Sequence, residues 1–241
     1  MADKKWEITR IHVHGQAMIG DHNQMEVKTS AISSLSDKKS KEYKRNETIK
    51  ILFLMANPRD TDRLRSDEEI RDIEQALRLS EFRDKFEIIQ QWAVRVMDLQ
   101  NHILRLNPQI VHFSGHGSPN SEIILENING ESQIVPQSAL KQLFSVLKNS
   151  IQCVVLNACY SEQQARAIAE HIDCVIGMSK VIGDKAAVTF AATFYQALGF
   201  GKDVKTAFDL ACIQIDLENL NEQDTPKLLT RNLDPRKIIF V

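Results

Sequence analysis

No CxxC pair occurs in this 241-residue chain, although it holds four cysteines, Cys153, Cys159, Cys174 and Cys212. That spacing excludes a recognisable zinc ribbon and argues against a disulfide scaffold, so a reducing cytoplasm is the expected compartment. An excess of one charge is lacking too: 30 Lys and Arg stand against 32 Asp and Glu, for a formal net charge of -2. A protein that grips nucleic acid by neutralising phosphates needs a basic surplus, and none is expected to bind here. No apolar run approaches the roughly 18 to 20 residues that span a bilayer. The opening MADKKWEITR has no hydrophobic segment after its lysines, so neither membrane insertion nor a signal peptide is expected. What remains, 43% hydrophobic and 26% charged residues, is an ordinary globular balance.

The patterning changes near residue 48. Residues 30–47, SAISSLSDKKSKEYKRNE, are rich in Ser and Lys without an apolar period, which reads as a flexible linker. Its Lys-rich part, residues 38–45, would be an accessible place for proteolysis. Beyond it, IKILFLM at 49–55 is a nearly continuous apolar run, as in a strand covered on both faces. Further strands are predicted at 86–92, 109–113, 151–156, 173–178 and 237–241. Helices are predicted at 66–80, 96–106, 136–149, 161–171, 184–198 and 203–217. Ser66 and Glu69 read as a capping box, and Asn129-Gly130 as the turn of a hairpin within 122–135. This alternation predicts an α/β fold, a mostly parallel sheet with helices on both faces.

In such a sheet, sites lie beyond the carboxyl ends of the strands. Two reactive side chains fall there: His116 in SGHG after QIVHF, and Cys159 in NAC after CVVLN, 43 residues apart. A free thiol is mostly protonated at neutral pH, and an adjacent imidazole, aided by the positive end of a helix starting near Ser161, would favour the thiolate. Gly115 and Gly117 keep the histidine loop thin, so the Gly117 and Cys159 amides could form an oxyanion hole. Cys153, Cys174 and Cys212 read instead as small packed hydrophobes, and His112 as a core or interface histidine.

HFSGHG followed by VVLNACYS resembles the caspase-like (clan CD) cysteine peptidases, and among them the CHAT-domain branch. The flanking segments ILFLMANPRDTDRLRSDEEIRDIEQAL, FEIIQQWAVRVMDLQ and VIGMSKVIGDKAAVTFAATFYQALGFGKDVKTAFDLA extend the likeness over roughly residues 48–241. The resemblance implies a cysteine endopeptidase with His116 as general base and Cys159 as nucleophile, acting on protein substrates with no cofactor and no metal. Caspases carry Gln two residues before the Cys and select Asp, while metacaspases carry acidic residues and select Arg or Lys. Here Asn157 and Asn57 occupy the corresponding sites, a neutral pair that predicts no preference for Asp. A basic preference stays open if Asp184 or Asp60 reaches the pocket, although Asp184 also reads as a helix N-cap.

Residues 1–29 carry a second resemblance. AMIGDHNQM at 17–25, with Val27 beside it, is similar to the RIP homotypic interaction motif and to bacterial amyloid-signalling motifs. Ile19 and Met25 would line a zipper, Gly20 would supply a bend, and Asn23 would form a side-chain ladder. The resemblance implies homotypic fibres or an upstream NLR-like sensor as partner, in antiphage defence or regulated cell death. A hairpin docked on the peptidase or a disordered tail is the plainer alternative for this segment. For the whole chain the alternatives are a non-enzymatic caspase-like adaptor with an idle dyad, and a cysteine hydrolase of small molecules.

Overall fold

The computed structural model describes residues 48–241. The expected boundaries at 29 and 47, the assembly residues Ile19, Gly20, Asn23 and Met25, and His12, His14 and His22 lie outside the described residues.

Strand β1 (Ile49–Met55) lies inside the sheet. Its side chains alternate between two cores. Ile51, Phe53 and Met55 point one way, and Leu52 and Leu54 the other, so every position from Ile51 to Met55 is apolar, and Lys50 falls at the less buried start of the strand. On the first face lie helices α1 (Ser66–Arg78), α5 (Asp184–Gly199) and α6 (Val204–Leu217). On the second lie α2 (Val96–Leu106), α3 (Gln137–Leu147) and α4 (Glu162–Ile168). Each fully buried Leu, Ile or Phe in these layers contributes about 1.5–3 kcal/mol, and this two-sided burial holds the sheet.

The other strands are β2 (Phe86–Gln91), β3 (Ile110–Ser114), β6 (Cys153–Asn157), β7 (Cys174–Met178) and β8 (Pro226–Thr230). Their order is β2-β1-β3-β6-β7-β8, parallel except for the antiparallel β7–β8 pair. The hairpin around Asn129-Gly130 forms as expected from β4 (Ile124–Glu126) and β5 (Ser132–Ile134), with Gly130 at φ 75°.

Three local expectations are corrected. Residues 237–241 form no strand. Pro235–Lys237 is a short 3₁₀ turn, and the Ile238 carbonyl accepts from the Val204 amide at the start of α6. The last strand is β8, which opens on Pro226. A proline lacks the N–H that an interior strand needs, but an edge position tolerates it. Ser66 and Glu69 make no capping box: Arg65 is the N-cap residue and no side chain caps this helix. Asp184 is the first helical residue rather than the cap, which is Gly183.

Candidate active site

The register of the central strands brings the two loops together. Ser114 pairs with Asn157 across β3 and β6. His116 and Cys159 each lie two residues past that pair, so parallel strands deliver them side by side. Both line one cleft, together with Leu64, Ser66, Glu69 and Ile182. Both are half-buried.

The loops are tied at several points. Ser161, fully buried, donates from Oγ to the Leu156 carbonyl at 2.9 Å and accepts from the Met178 amide at 3.0 Å. This clamps the cysteine turn between the ends of β6 and β7. Tyr160 adopts the left-handed region at φ 57°, uncommon for a residue with a side chain, and its amide donates to the Lys180 carbonyl. The Gly117 α-carbon rests on the Cys159 peptide: a Cβ there would stand 1.8 Å from the Cys159 carbonyl oxygen. A glycine is therefore required at this contact.

His116 has a defined orientation. Its Nε2 lies 2.8 Å from the Asp62 carbonyl oxygen. A carbonyl only accepts, so Nε2 carries a proton, and in the neutral ring Nδ1 is the nitrogen with the free lone pair. The β1–α1 loop that bears Asp62 is pinned by Asn57, whose side chain accepts from the Leu64 amide at 3.3 Å and reaches the Leu64 carbonyl at 3.5 Å. The Cys159 thiol faces the Ile182 carbonyl at 3.8 Å rather than the imidazole, so the two groups share a cleft without a hydrogen bond between them.

Below the cleft, a polar group sits between α1 and the sheet. Glu69, 5% exposed, accepts from Asn157 Nδ2 at 2.6 Å, meets His112 Nε2 at 3.0 Å, and accepts from Ser114 Oγ. His112 Nδ1 lies 3.0 Å from the Tyr195 hydroxyl. His112 is thus the core histidine expected from the sequence, completely buried against Phe53 and Tyr195. The physical reason for the lost capping box is here. Three buried groups on β3 and β6 need Glu69 more than a solvated helix end does, since each buried polar group left unpaired costs about 1–3 kcal/mol.

Among the residues expected to meet substrate, Asn157 lines the cleft from within and Asp184 lines it from an exposed position. Asn57 instead belongs to a neighbouring depression beside Arg63 and Trp92. Asp60 is held by Ser132 at 2.7 and 2.8 Å, and these hydrogen bonds hold its carboxyl pKa below the usual carboxylate value. The sequence reading missed Glu69 and the Asp62 carbonyl. Glu69 left a signal: with Ile70, Ile73 and Leu77 it falls on the buried face of α1. A backbone carbonyl leaves none.

The other thiols are suited to packing. Cys153 and Cys174 are buried opposite each other on β6 and β7. The Cys153 contact and then burial push the Cys174 thiol well above its ordinary range. Burial pushes Cys212 up to about 12. Among the described residues, no three His, Cys, Asp or Glu side chains converge to hold a metal ion, and no helix is long and apolar enough to cross a membrane.

A mostly parallel six-stranded sheet between two helical layers, with His and Cys at adjacent strand ends, defines a caspase-like fold. Caspase-1 from Spodoptera frugiperda superposes with a TM-score of 0.51 at 10% identity, over 77% of this chain and 86% of its own. The structure of pro-sf-caspase-1 gives 0.50 at 10% identity, over 77% of this chain and 91% of its own. At such identity the likeness is one of fold. The chain belongs to the CHAT domain family, whose pattern matches residues 16–226. It is 29% identical over 184 residues to a Roc-COR-CHAT protease of an unknown prokaryotic organism, covering 73% of this chain and 17% of that protein. It is also 29% identical over 175 residues to a probable protease of Gillisia limnaea, covering 70% and 31%. The chain thus matches under a third of the length of either relative.

Proposed function

We propose that this chain is a caspase-like cysteine endopeptidase working through His116 and Cys159. The observation that carries the reading is the Asp62–His116 bond. It leaves Nδ1 as the basic nitrogen in the cleft that Cys159 also lines. In the proposed reaction, Nδ1 takes the thiol proton and the sulfur attacks the scissile carbonyl carbon. The oxyanion is held by the Gly117 and Cys159 amides. Collapse breaks the C–N bond, the Nδ1 proton goes to the leaving amine, and a thioester remains. Water, deprotonated by Nδ1, then releases the acid and restores the thiol. The Cys159–Ile182 contact fits a resting state in which the thiol has yet to turn to the imidazole. It is also what an adaptor with an idle dyad would contain, so the two readings differ in reactivity.

Labelling with a peptide-based electrophile tests the proposal. Wild type and Cys153→Ala are expected to be labelled, and Cys159→Ala is expected to lose all labelling. Cys212 should stay unmodified near neutral pH, because a thiol raised to about 12 holds almost no thiolate there. An unlabelled wild type would favour the adaptor.

The N-terminal segment is proposed as an assembly motif. Residues 17–25 would stack with an upstream sensor or with other copies, and clustering would raise the local concentration of the peptidase. Antiphage defence or regulated cell death is the proposed setting, by motif analogy. Charged replacements at Ile19 or Asn23 are expected to abolish fibre growth in a dye-binding assay and to leave the circular dichroism of residues 48–241 unchanged. Equal growth would remove the zipper.

A further inference from the structure

The polar group under the cleft has a proton account that can be closed. Burial, with the nearby Cys153 and Glu69 charges, pushes the Tyr195 phenol well above its ordinary range, so its O–H stays intact and needs an acceptor. His112 Nδ1, at 3.0 Å, is the acceptor in place. The ring therefore carries its proton on Nε2 and gives it to Glu69. A doubly protonated ring would leave the buried Tyr195 O–H without an acceptor, at a cost of about 1–3 kcal/mol. Asn157 and Ser114 are the other donors to Glu69. All three donors are then uncharged, so no cation is hydrogen-bonded to the Glu69 carboxyl group that lines the cleft.

The neighbouring charges do not make up the difference. Arg65 also lines the cleft, but its guanidinium is paired with Glu68 at 2.9 Å. Asp184 adds a second carboxylate at the rim, and the adjacent Lys185 is paired with Glu218 at 3.3 Å. A separate observation points the same way. Asn157, 5% exposed and part of the cleft wall, bonds through Nδ2 to Glu69 Oε1 and to the Ala187 carbonyl. Both partners are acceptors, which fixes which end of the amide is nitrogen. Its Oδ1 accepts from nothing. Two carboxylates and an orphan acceptor call for an occupant made of donors and carrying positive charge.

We infer that the cleft selects substrates with Arg or Lys immediately before the scissile bond, with Glu69 at its floor and Asp184 at its rim as the specificity-determining carboxylates. The inference rests on the peptidase reading and supplies its substrate class. The charge that Asn57 and Asn157 lack comes from Glu69 on α1 and Asp184 on α5.

The test uses the full chain and acyloxymethyl ketone peptides identical except at the last residue: Arg, Lys, citrulline, Leu or Asp. Citrulline keeps the length of Arg and three of its five N–H donors, has a carbonyl oxygen in place of the remaining NH2, and carries no charge. Labelling of Cys159 is expected to be at least about tenfold faster with Arg or Lys than with citrulline, the ratio that corresponds to about 1.4 kcal/mol. Glu69→Gln is expected to reduce that ratio. Because Glu69 also ties α1 to the sheet, the exposed Asp184→Asn carries the test independently and is expected to reduce the ratio severalfold. Cys159-dependent labelling that favours citrulline, Leu or Asp, or a ratio unchanged in both variants, overturns the inference and leaves the peptidase. Absence of Cys159-dependent labelling with every probe overturns the peptidase and this inference with it.

Discussion

Replacing His116 with alanine is expected to lower kcat/KM by about 10²–10⁴-fold, the usual contribution of a positioned general base. The variant should still fold. His116 is half-buried and its hydrogen bond reaches only the Asp62 carbonyl, whereas the sheet is held by two separate apolar layers. Peptide hydrolysis measured beside circular dichroism separates the two outcomes. Because Nδ1 is the nitrogen assigned to the chemistry, the pH profile should lose its histidine limb in the variant. A normal rate in a folded His116→Ala protein would remove the base from the mechanism.

Gly117→Ala is expected to cost at least about 100-fold in rate, although it adds only a methyl group. That methyl would stand 1.8 Å from the Cys159 carbonyl oxygen and 2.8 Å from its carbon. The obstacle is backbone, so relief requires moving the peptide of Cys159, the proposed nucleophile. A displacement of about 1 Å at a reacting group is worth about 10²-fold. Gly183→Ala is the control: its new methyl would meet only the end of the Glu222 side chain, at 3.1 Å, and activity should stay close to wild type. Equal activity of the two variants would show that the contact between the loops does not govern the reaction.

Much of the fold was legible because the chain repeats one physical statement. Strands covered on both sides have no polar alternation, and IKILFLM and CVVLN announce themselves as such. The meeting of His116 and Cys159 at one cleft was legible because both follow the carboxyl ends of parallel strands, where an α/β sheet exposes side chains. Other features failed for specific reasons. Pro226–Thr230 is short and opens on proline, while the more apolar IIF near the end looked the better strand. Glu69 fitted a local rule, three residues after a serine at a helix start, and long-range partners outweighed that rule. His112, Ser114, Asn157 and Tyr195 are 43 to 126 residues away in sequence. Only the packing of α1 and α5 on the same face brings them together.

The use of a main-chain oxygen to hold His116 has a consequence for mutational scanning. No exchange of side chain at position 62 deletes that oxygen, so a substitution map of the loop would show tolerance at the residue that steers the imidazole. The dependence would surface only when residues are inserted or removed between Asn57 and Leu64, or when the Asn57 clamp is cut. Indel libraries, rather than alanine walks, are the instrument that would reveal this part of the machinery.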